Sequence, residues 1–237
     1  MTNLPPALQR MAGGLIVSCQ ASPGEPLYGP EPMTRMALAA ALGGAAGLRA
    51  NGVDDVRAIA RAVSLPVIGI WKVDAAPDEA FITVTVEQAE RLAEAGAAVI
   101  AVDGTGRPRP GGLGAGELIR AIKARTGLPV MADCATLEEG LAAEEAGVDL
   151  VGTTLSGYTP YSRAPEDSGP DLGLVRALAE RAGVPVVAEG RIWTPEEAVA
   201  AFDAGAWAVT VGTAITRPHV VTKRFVDRIA RSRHGSA

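Results

Sequence analysis

Glu94-Ala-Gly-Ala-Ala-Val-Ile-Ala-Val102 is a phrase that the 237-residue chain repeats. It returns as Arg125-Thr-Gly-Leu-Pro-Val-Met-Ala132, Glu145-Ala-Gly-Val-Asp-Leu-Val151, Arg181-Ala-Gly-Val-Pro-Val-Val-Ala188 and Asp203-Ala-Gly-Ala-Trp-Ala-Val-Thr-Val211. In each copy an amphipathic run ends on Gly, one or two residues follow, and an apolar stretch begins. Gly there tolerates the left-handed conformation that closes a helix, and the apolar stretch suits a strand covered on both faces. Helix starts are marked by Thr136-Leu-Glu-Glu139 and Thr194-Pro-Glu-Glu197, each a Thr cap with Glu three residues on, the second with Pro at the first helical position.

Working outward, eight such apolar runs lie near residues 14–20, 44–50, 66–72, 98–104, 129–135, 150–154, 185–191 and 208–214, each followed by a helix-like segment. No Gly/Ser-rich linker or charge run divides them. The fold expected is α/β, a single (β/α)8 TIM barrel forming one domain over residues 1–237. An open doubly wound sheet would carry a phosphate fingerprint in its first strand-to-helix turn, and Gln20-Ala-Ser-Pro-Gly24 is no such fingerprint. Two segments read as loops over an active site: the Pro-rich residues 22–32 and the Gly-rich residues 104–114.

Composition narrows the function. A net charge of −5 argues against a nonspecific nucleic-acid binder, which needs clustered Lys and Arg. The chain shows no secretory signal and no apolar run long enough to span a membrane, so a cytoplasmic place is expected. Cys19 and Cys134 sit inside apolar runs and read as buried thiols, while His219 and His234 suggest no ligand spacing, so no metal site is expected.

Chemistry in such a barrel sits where strands end, and six runs end in a polar residue: Gln20, Arg49, Lys72, Asp103, Asp133 and Glu189. Any one of them is as well explained by a solvated loop or a structural ion pair. Six at one rim are costly to bury unless they pair or bind something. After the last two runs come Glu189-Gly190-Arg191 and Val211-Gly212-Thr213-Ala-Ile-Thr-Arg217. Backbone N–H groups of Gly190, Gly212 and Thr213 suit a phosphate, and Arg217 suits a bidentate clamp on it. Trp71, Trp193 and Trp207 read as packing residues, with Trp71 placed to help desolvate Lys72. Tyr158 and Tyr161 belong either to a loop that closes over a sugar or to a plain surface loop.

Several phrases together resemble the N-acetylmannosamine-6-phosphate 2-epimerases of sialic acid and amino-sugar catabolism. They are Ser18-Cys-Gln-Ala21, Gly47-Leu-Arg-Ala-Asn-Gly52, Pro66-Val-Ile-Gly-Ile-Trp-Lys72, the stretch from Asp103 to Pro110, Met131-Ala-Asp133, Gly152-Thr-Thr-Leu-Ser-Gly-Tyr-Thr159, Ala188-Glu-Gly-Arg-Ile192 and the stretch from Val211 to Pro218. The resemblance implies Lys72 as acid/base with Glu189 as its partner across the site. It also implies Gln20, Arg49 and Asp133 as substrate-positioning residues and Arg217 as the phosphate arginine. Departures are Phe81 in place of a tyrosine, Tyr28 in place of a frequent histidine, and Cys134 near a common Ile-Ser. The implied substrate is a phosphorylated N-acetylhexosamine, with no cofactor. Barrels of this kind often form homodimers, to which residues 225–237 are expected to contribute.

Proton removal from C2 requires a neutral Lys72 amine, which burial and a neighbouring Arg49 would favour. Two rival readings remain: a Schiff-base phosphosugar aldolase using Lys72, and a sugar-phosphate sensor, for which Lys72 and Glu189 would be superfluous.

Overall fold

The computed structural model describes residues 4–165 and 168–234. After a short helix α1 (Pro6–Gln9), the chain alternates β1 (Leu15–Cys19), α2 (Pro30–Leu42), β2 (Gly47–Asn51), α3 (Val53–Ala62), β3 (Val67–Ile70), α4 (Val86–Glu94), β4 (Val99–Asp103), α5 (Ala115–Thr126), β5 (Val130–Asp133), α6 (Leu137–Glu145), β6 (Leu150–Gly152), α7 (Leu172–Arg181), β7 (Val186–Glu189), α8 (Pro195–Asp203) and β8 (Ala208–Val211), and ends in α9 (Thr213–Thr216) and α10 (Pro218–His234). The strands close into a parallel barrel in chain order, β8 returning to β1 through Leu15 opposite Val209. The (β/α)8 architecture expected from the repeat is the one observed.

The repeats do locally what their composition suggests. Thr136 and Thr194 each accept from the backbone N–H of the Glu three residues on, whose carboxylate returns to the cap, and Pro195 opens α8. The Gly residues of the phrase sit at positive φ at Gly96, Gly127, Gly147 and Gly205, where a Cβ would strain the turn. The repeat's Gly183 is not among the positive-φ positions.

Strands are shorter than the apolar runs. Gly212 breaks the eighth run with φ −109° and ψ −93°, so residues 213–214 start α9 instead of extending β8. The third run leaves the ladder after Ile70, and Lys72 is held by an isolated antiparallel bridge to Ile82.

Side chains alternate across each strand. Ile16, Ile68, Ile70, Val99, Ala101, Met131, Leu150, Val187 and Ala208 fill the lumen, closed below by Leu8 and Met11 near α1. Val17, Cys19, Leu48, Ala50, Val67, Ile100, Val130, Ala132 and Cys134 pack outward against the helices. The same parity continued to the upper end of the strands places Ser18, Arg49, Lys72, Asp103, Asp133, Gly152, Glu189 and Thr210 in the top layer. Both thiols are buried on the outer side, as expected, and burial pushes Cys19 up to about 12.

Candidate active site

A cavity of about 800 Å³ opens above that top layer. Gln20, Arg49, Lys72, Glu189, Gly190, Gly212, Thr213 and Arg217 all line it. Among the described residues five buried side-chain polar atoms lack a hydrogen-bond partner, and four belong to residues of this wall: Gln20 Oε1, Arg49 Nε, Trp193 Nε1 and Thr210 Oγ1. Unpaired buried polar atoms are costly, so their convergence on one cavity marks a place built for a polar ligand.

The floor is a charge network assembled from distant parts of the chain. Arg49 donates from Nη1 to Asp133 Oδ1 at 3.0 Å and from Nη2 to Asp133 Oδ2 at 2.5 Å, and Nη1 also reaches Glu189 Oε2 at 3.1 Å. Thr154 Oγ1 donates to Asp133 Oδ1 at 2.6 Å and lies 3.4 Å from Glu189 Oε2. Burial opposes the Arg49 charge, but Asp133 and Glu189 more than offset it, and the guanidinium is held charged above its ordinary range. Gly152 makes room: a Cβ there would run into Met131 and come within 3.3 Å of Asp133 Oδ1. Asp133 was expected on the wall. It is instead fully buried behind it and meets the cavity through Arg49 and Thr154, because its carboxylate is consumed by those two donors.

Two titratable groups stand over this floor. Burial lowers the Lys72 ammonium to about 8; Arg49 and Arg217 push the same way, and Glu189 and Asp133 push against them. Lys72 is nonetheless exposed to the open cavity, so water tempers the shift and a ligand displacing that water would strengthen it. Its backbone N–H is fixed on Asn51 Oδ1 at 2.8 Å. Glu189 moves oppositely. Burial and the neighbouring Asp133 hold its carboxyl above the ordinary carboxylate range, while Arg49, Lys72 and the Thr154 hydroxyl pull it down. A lysine brought down and a glutamate brought up are a matched pair for moving protons near neutral pH.

At the other end of the cavity, Gly190 follows β7 and Gly212 caps α9. Arg217 does not stand free there. It donates from Nε to Glu25 Oε2 at 3.2 Å and from Nη2 to Glu25 Oε1, and His219 Nε2 lies 3.8 Å from the same carboxylate. Burial works against the Glu25 charge, but the Arg217 hydrogen bonds and charge prevail and hold the carboxyl below its usual range. Glu25 lies in the Pro-rich segment after β1, and this pairing was not anticipated.

Other expectations divide. Asp103 shares the rim parity but lines no part of the cavity, nor does any of residues 104–114; its carboxylate is turned into its own loop by Thr105 and Arg107. Trp71 packs outward, 5.0 Å beneath the Arg91 guanidinium, and so does not desolvate the Lys72 amine. Trp207 packs among the lumen residues, as expected, whereas Trp193 lines the cavity with Arg224 stacked 4.1 Å over it. Tyr158 lines the cavity; Tyr161 instead donates to Glu139. Asn51, Thr154 and Arg163 also reach the wall and were missed, and Arg191 reaches it without having been given a role. The Thr-Thr pair after β6 and the Arg following Glu189-Gly190 were the available signals. Arg191 was in view as part of that phrase; its φ of +54° turns it to donate to Gly169 O at 2.7 Å and to Ser156 O. Among the described residues no group of three or more His, Cys, Asp or Glu side chains is arranged to hold a metal ion.

The chain resembles known proteins along almost its full length. Residues 33–231 match the model of a family described as putative N-acetylmannosamine-6-phosphate epimerase. A protein of Caldanaerobacter subterraneus named putative N-acetylmannosamine-6-phosphate 2-epimerase is 52% identical over 230 residues, covering 97% of this chain and 96% of its own. The solved N-acetylmannosamine-6-phosphate 2-epimerase from Clostridium perfringens superimposes with a TM-score of 0.88 at 47% identity, covering 93% of this chain and 95% of its own. A thiamine phosphate pyrophosphorylase from Pyrococcus furiosus, with a TM-score of 0.61 at 18% identity, shares the fold alone. The charged floor, the lysine above it and these relatives lead to one assignment: the chain belongs to the N-acetylmannosamine-6-phosphate epimerase family.

Proposed function

We propose that this chain, as one catalytic domain of residues 1–237, interconverts N-acetylmannosamine 6-phosphate and N-acetylglucosamine 6-phosphate by exchanging the proton at C2. The observation that carries the reading is Lys72, brought down to about 8 and set above Arg49, Asp133 and Glu189 in a cavity with a glycine-lined anion end.

Once the sugar ring is open, C1 is an aldehyde and the C2 proton becomes weakly acidic. Lys72 Nζ takes that proton, and the C–H electron pair moves into the C1–C2 bond to leave an enolate oxygen at C1. The Arg49 Nε–H has no protein partner and is the charged donor available to that oxygen. Glu189 lies on β7, four strands from β3 in a ring of eight, and serves the opposite face of C2. Gln20 and Arg49 position the substrate directly, and Asp133 does so by fixing Arg49. Gly190, Gly212 and Thr213 hold the phosphate through backbone N–H groups, with Arg217 as the clamp. No step needs an added cofactor.

An NMR time course on N-acetylmannosamine 6-phosphate in heavy water, with nothing else added, tests this. The expected result is accumulation of the 2-epimer carrying deuterium at C2. Cleavage to smaller carbonyl products, or covalent trapping by borohydride, would instead select the lysine-imine aldolase. A homodimer is part of the same proposal: Phe225, Val226 and Ile229 of α10 are 68%, 57% and 51% exposed, and none of residues 218–232 is buried. Analytical ultracentrifugation is expected to give twice the chain mass. Residues 235–237 of the expected dimer tail lie outside the described residues. We also place the enzyme in the cytoplasm, which suits two buried free thiols and helices of which none, among the described residues, is long and apolar enough to cross a membrane.

A further inference from the structure

The stretch from Asp103 to Pro110 belongs to the family resemblance, yet none of it touches the cavity. Its polar groups are buried all the same: Asp103 and Thr105 fully, Arg107 and Arg109 nearly so. Asp103 Oδ1 accepts from the Thr105 hydroxyl at 2.5 Å and the Thr105 N–H at 3.1 Å; Oδ2 accepts from Arg107 Nη2 at 2.7 Å and the Phe81 N–H at 3.1 Å. The Asp103 N–H donates to Ile82 O at 2.8 Å, and Ala80 N–H donates to Pro108 O at 2.9 Å. Arg107 also reaches Pro77 O at 3.4 Å, and its guanidinium lies 5.4 Å from the Phe81 ring. The exit of β4 thus grips residues 77–82 along their length.

What that gripped segment carries is Lys72. The lysine lies beyond the last barrel pairing of β3, where the neighbouring strand β2 reaches it only through the Asn51 side chain. Residues 81–83 take over from the barrel ladder by running antiparallel to residues 71–73. Val73 N–H donates to Phe81 O at 2.9 Å, Thr83 N–H to Trp71 O at 2.8 Å, and Trp71 N–H to Thr83 Oγ1 at 3.0 Å, with Lys72 opposite Ile82. Thr83 is β-branched and sits at φ +46°, a conformation that persists only where its surroundings over-determine it.

We infer that Asp103 is a positioning residue for Lys72: with Arg107 it anchors the 77–82 segment whose Ile82 holds the lysine backbone over the Arg49–Asp133–Glu189 floor. The inference rests on Lys72 being the base at C2. A carboxylate is needed because four donors converge on two oxygens; an amide at position 103, in either orientation, would turn its NH2 against a main-chain N–H.

The test compares Arg107→Met with Arg107→Lys and Asp103→Asn by kcat, KM, thermal melting and the pH dependence of kcat/KM. Misplacement by about 1 Å can cost about 100-fold, so Arg107→Met and Asp103→Asn are expected to lower kcat at least tenfold while leaving KM within about twofold. The rising limb of the pH profile should move to higher pH, because an amine displaced from its place between Arg49, Arg217, Glu189 and Asp133 loses the net downward push of that setting and returns toward its ordinary range. Arg107→Lys should recover part of kcat. Wild-type kcat and profile in Arg107→Met overturn the inference. So does a fall in melting temperature and kcat with the pH limb unmoved, or an equal weakening of inhibition by inorganic phosphate, since either would describe general loosening. If neither variant folds, Thr105→Val removes one donor of four, and an unchanged limb there is equally fatal. Lys72→Ala separates the two levels: activity surviving that change removes the underlying reading, whereas an inactive Lys72→Ala beside a wild-type Arg107→Met removes only this inference.

Discussion

Asp103 and Asp133 are register partners on adjacent strands, both fully buried, and each is clamped by an arginine, yet they belong to opposite kinds of network. Asp103 takes three of its four donors from Thr105 and Arg107, close in sequence, and the fourth from Phe81, 22 positions away, and both its oxygens are satisfied. Asp133 takes its cation from a residue 84 positions away, and that arginine lines the cavity and keeps one buried N–H unused, as three other residues of the wall each keep one buried polar atom unpaired. A closed network of buried charges specifies a shape. An open one beside a cavity is held in readiness for something that completes it. Polar burial alone therefore does not mark the reacting centre, and neither does a single unpaired atom, since Arg109 Nε beside Asp103 is buried without a partner; four such atoms on residues around one cavity do.

The comparison breaks first if Lys72, above the open network, is dispensable. Lys72→Ala is expected to lower kcat about 1000-fold, within the range of a lost general base, with the melting temperature unchanged because the side chain fills cavity and not core. In the parent enzyme kcat/KM should rise as pH increases through about 8, since the neutral amine is the active form. A flat profile over that interval would deny Lys72 its role. Next in size is Arg49→Met, which leaves Asp133 and Glu189 buried together without their cation and should cost about 3 kcal/mol of stability. Stripped of the guanidinium, the Glu189 carboxyl, already held up by burial, loses the charge that pulls it down and rises further above its unfolded range. Its neutral form suits the fold, so the deficit should be larger at pH 8 than at pH 5.5. Urea denaturation at pH 8 and pH 5.5 measures it, and equal deficits would contradict the open-network account.

The barrel was readable because its cues are local. A Gly that ends a helix, a Thr cap answered by Glu, and an apolar run each lie within about ten residues, and eight apolar runs, five of them in the same phrase, leave little freedom in how they assemble. Rim residues were readable as a group for the same reason, since period two carries Arg49, Lys72, Asp133 and Glu189 to one end of the lumen. What separated Asp103 from Asp133 was not parity, which they share, but the company each keeps. For Asp103 most of that company stands at positions 105 and 107 and was open to reading, Phe81 alone lying further off. For Asp133 it stands at 49 and 154, and no spacing rule reaches that far. Trp193 and Tyr158 joined the wall through loop conformations set by Glu197, which accepts from the Trp193 N–H, and by Arg191 beneath the Tyr158 ring.

The anion end sharpens the comparison at smaller amplitude. Arg217→Ala should raise KM about tenfold with kcat little changed, because a clamp remote from C2 supplies binding common to substrate and transition state. Initial rates across substrate concentration decide it, and an unchanged KM would remove Arg217 from the phosphate site.

Glu25 yields the smallest and most discriminating effect. Its carboxylate already takes both ends of the Arg217 fork, so an incoming phosphate must share or displace a bound anion, and the two negative charges repel across one guanidinium. Were this pair closed in the manner of Asp103 and Arg107, its removal would loosen the loop after β1 and weaken binding. If it belongs to the open network, Glu25 is a stand-in that phosphate replaces. Glu25→Gln keeps the shape and removes the charge. On the open-network account it should lower KM about threefold and strengthen competitive inhibition by inorganic phosphate by a similar factor, the scale of one partly exposed charge contact. His219, 3.8 Å from the same carboxylate, should matter less than Arg217, since it is the longer contact. A rise in KM for Glu25→Gln, with phosphate inhibition weakened in parallel, would place the pair among the closed networks and leave Arg217 a loop anchor in place of a substrate clamp.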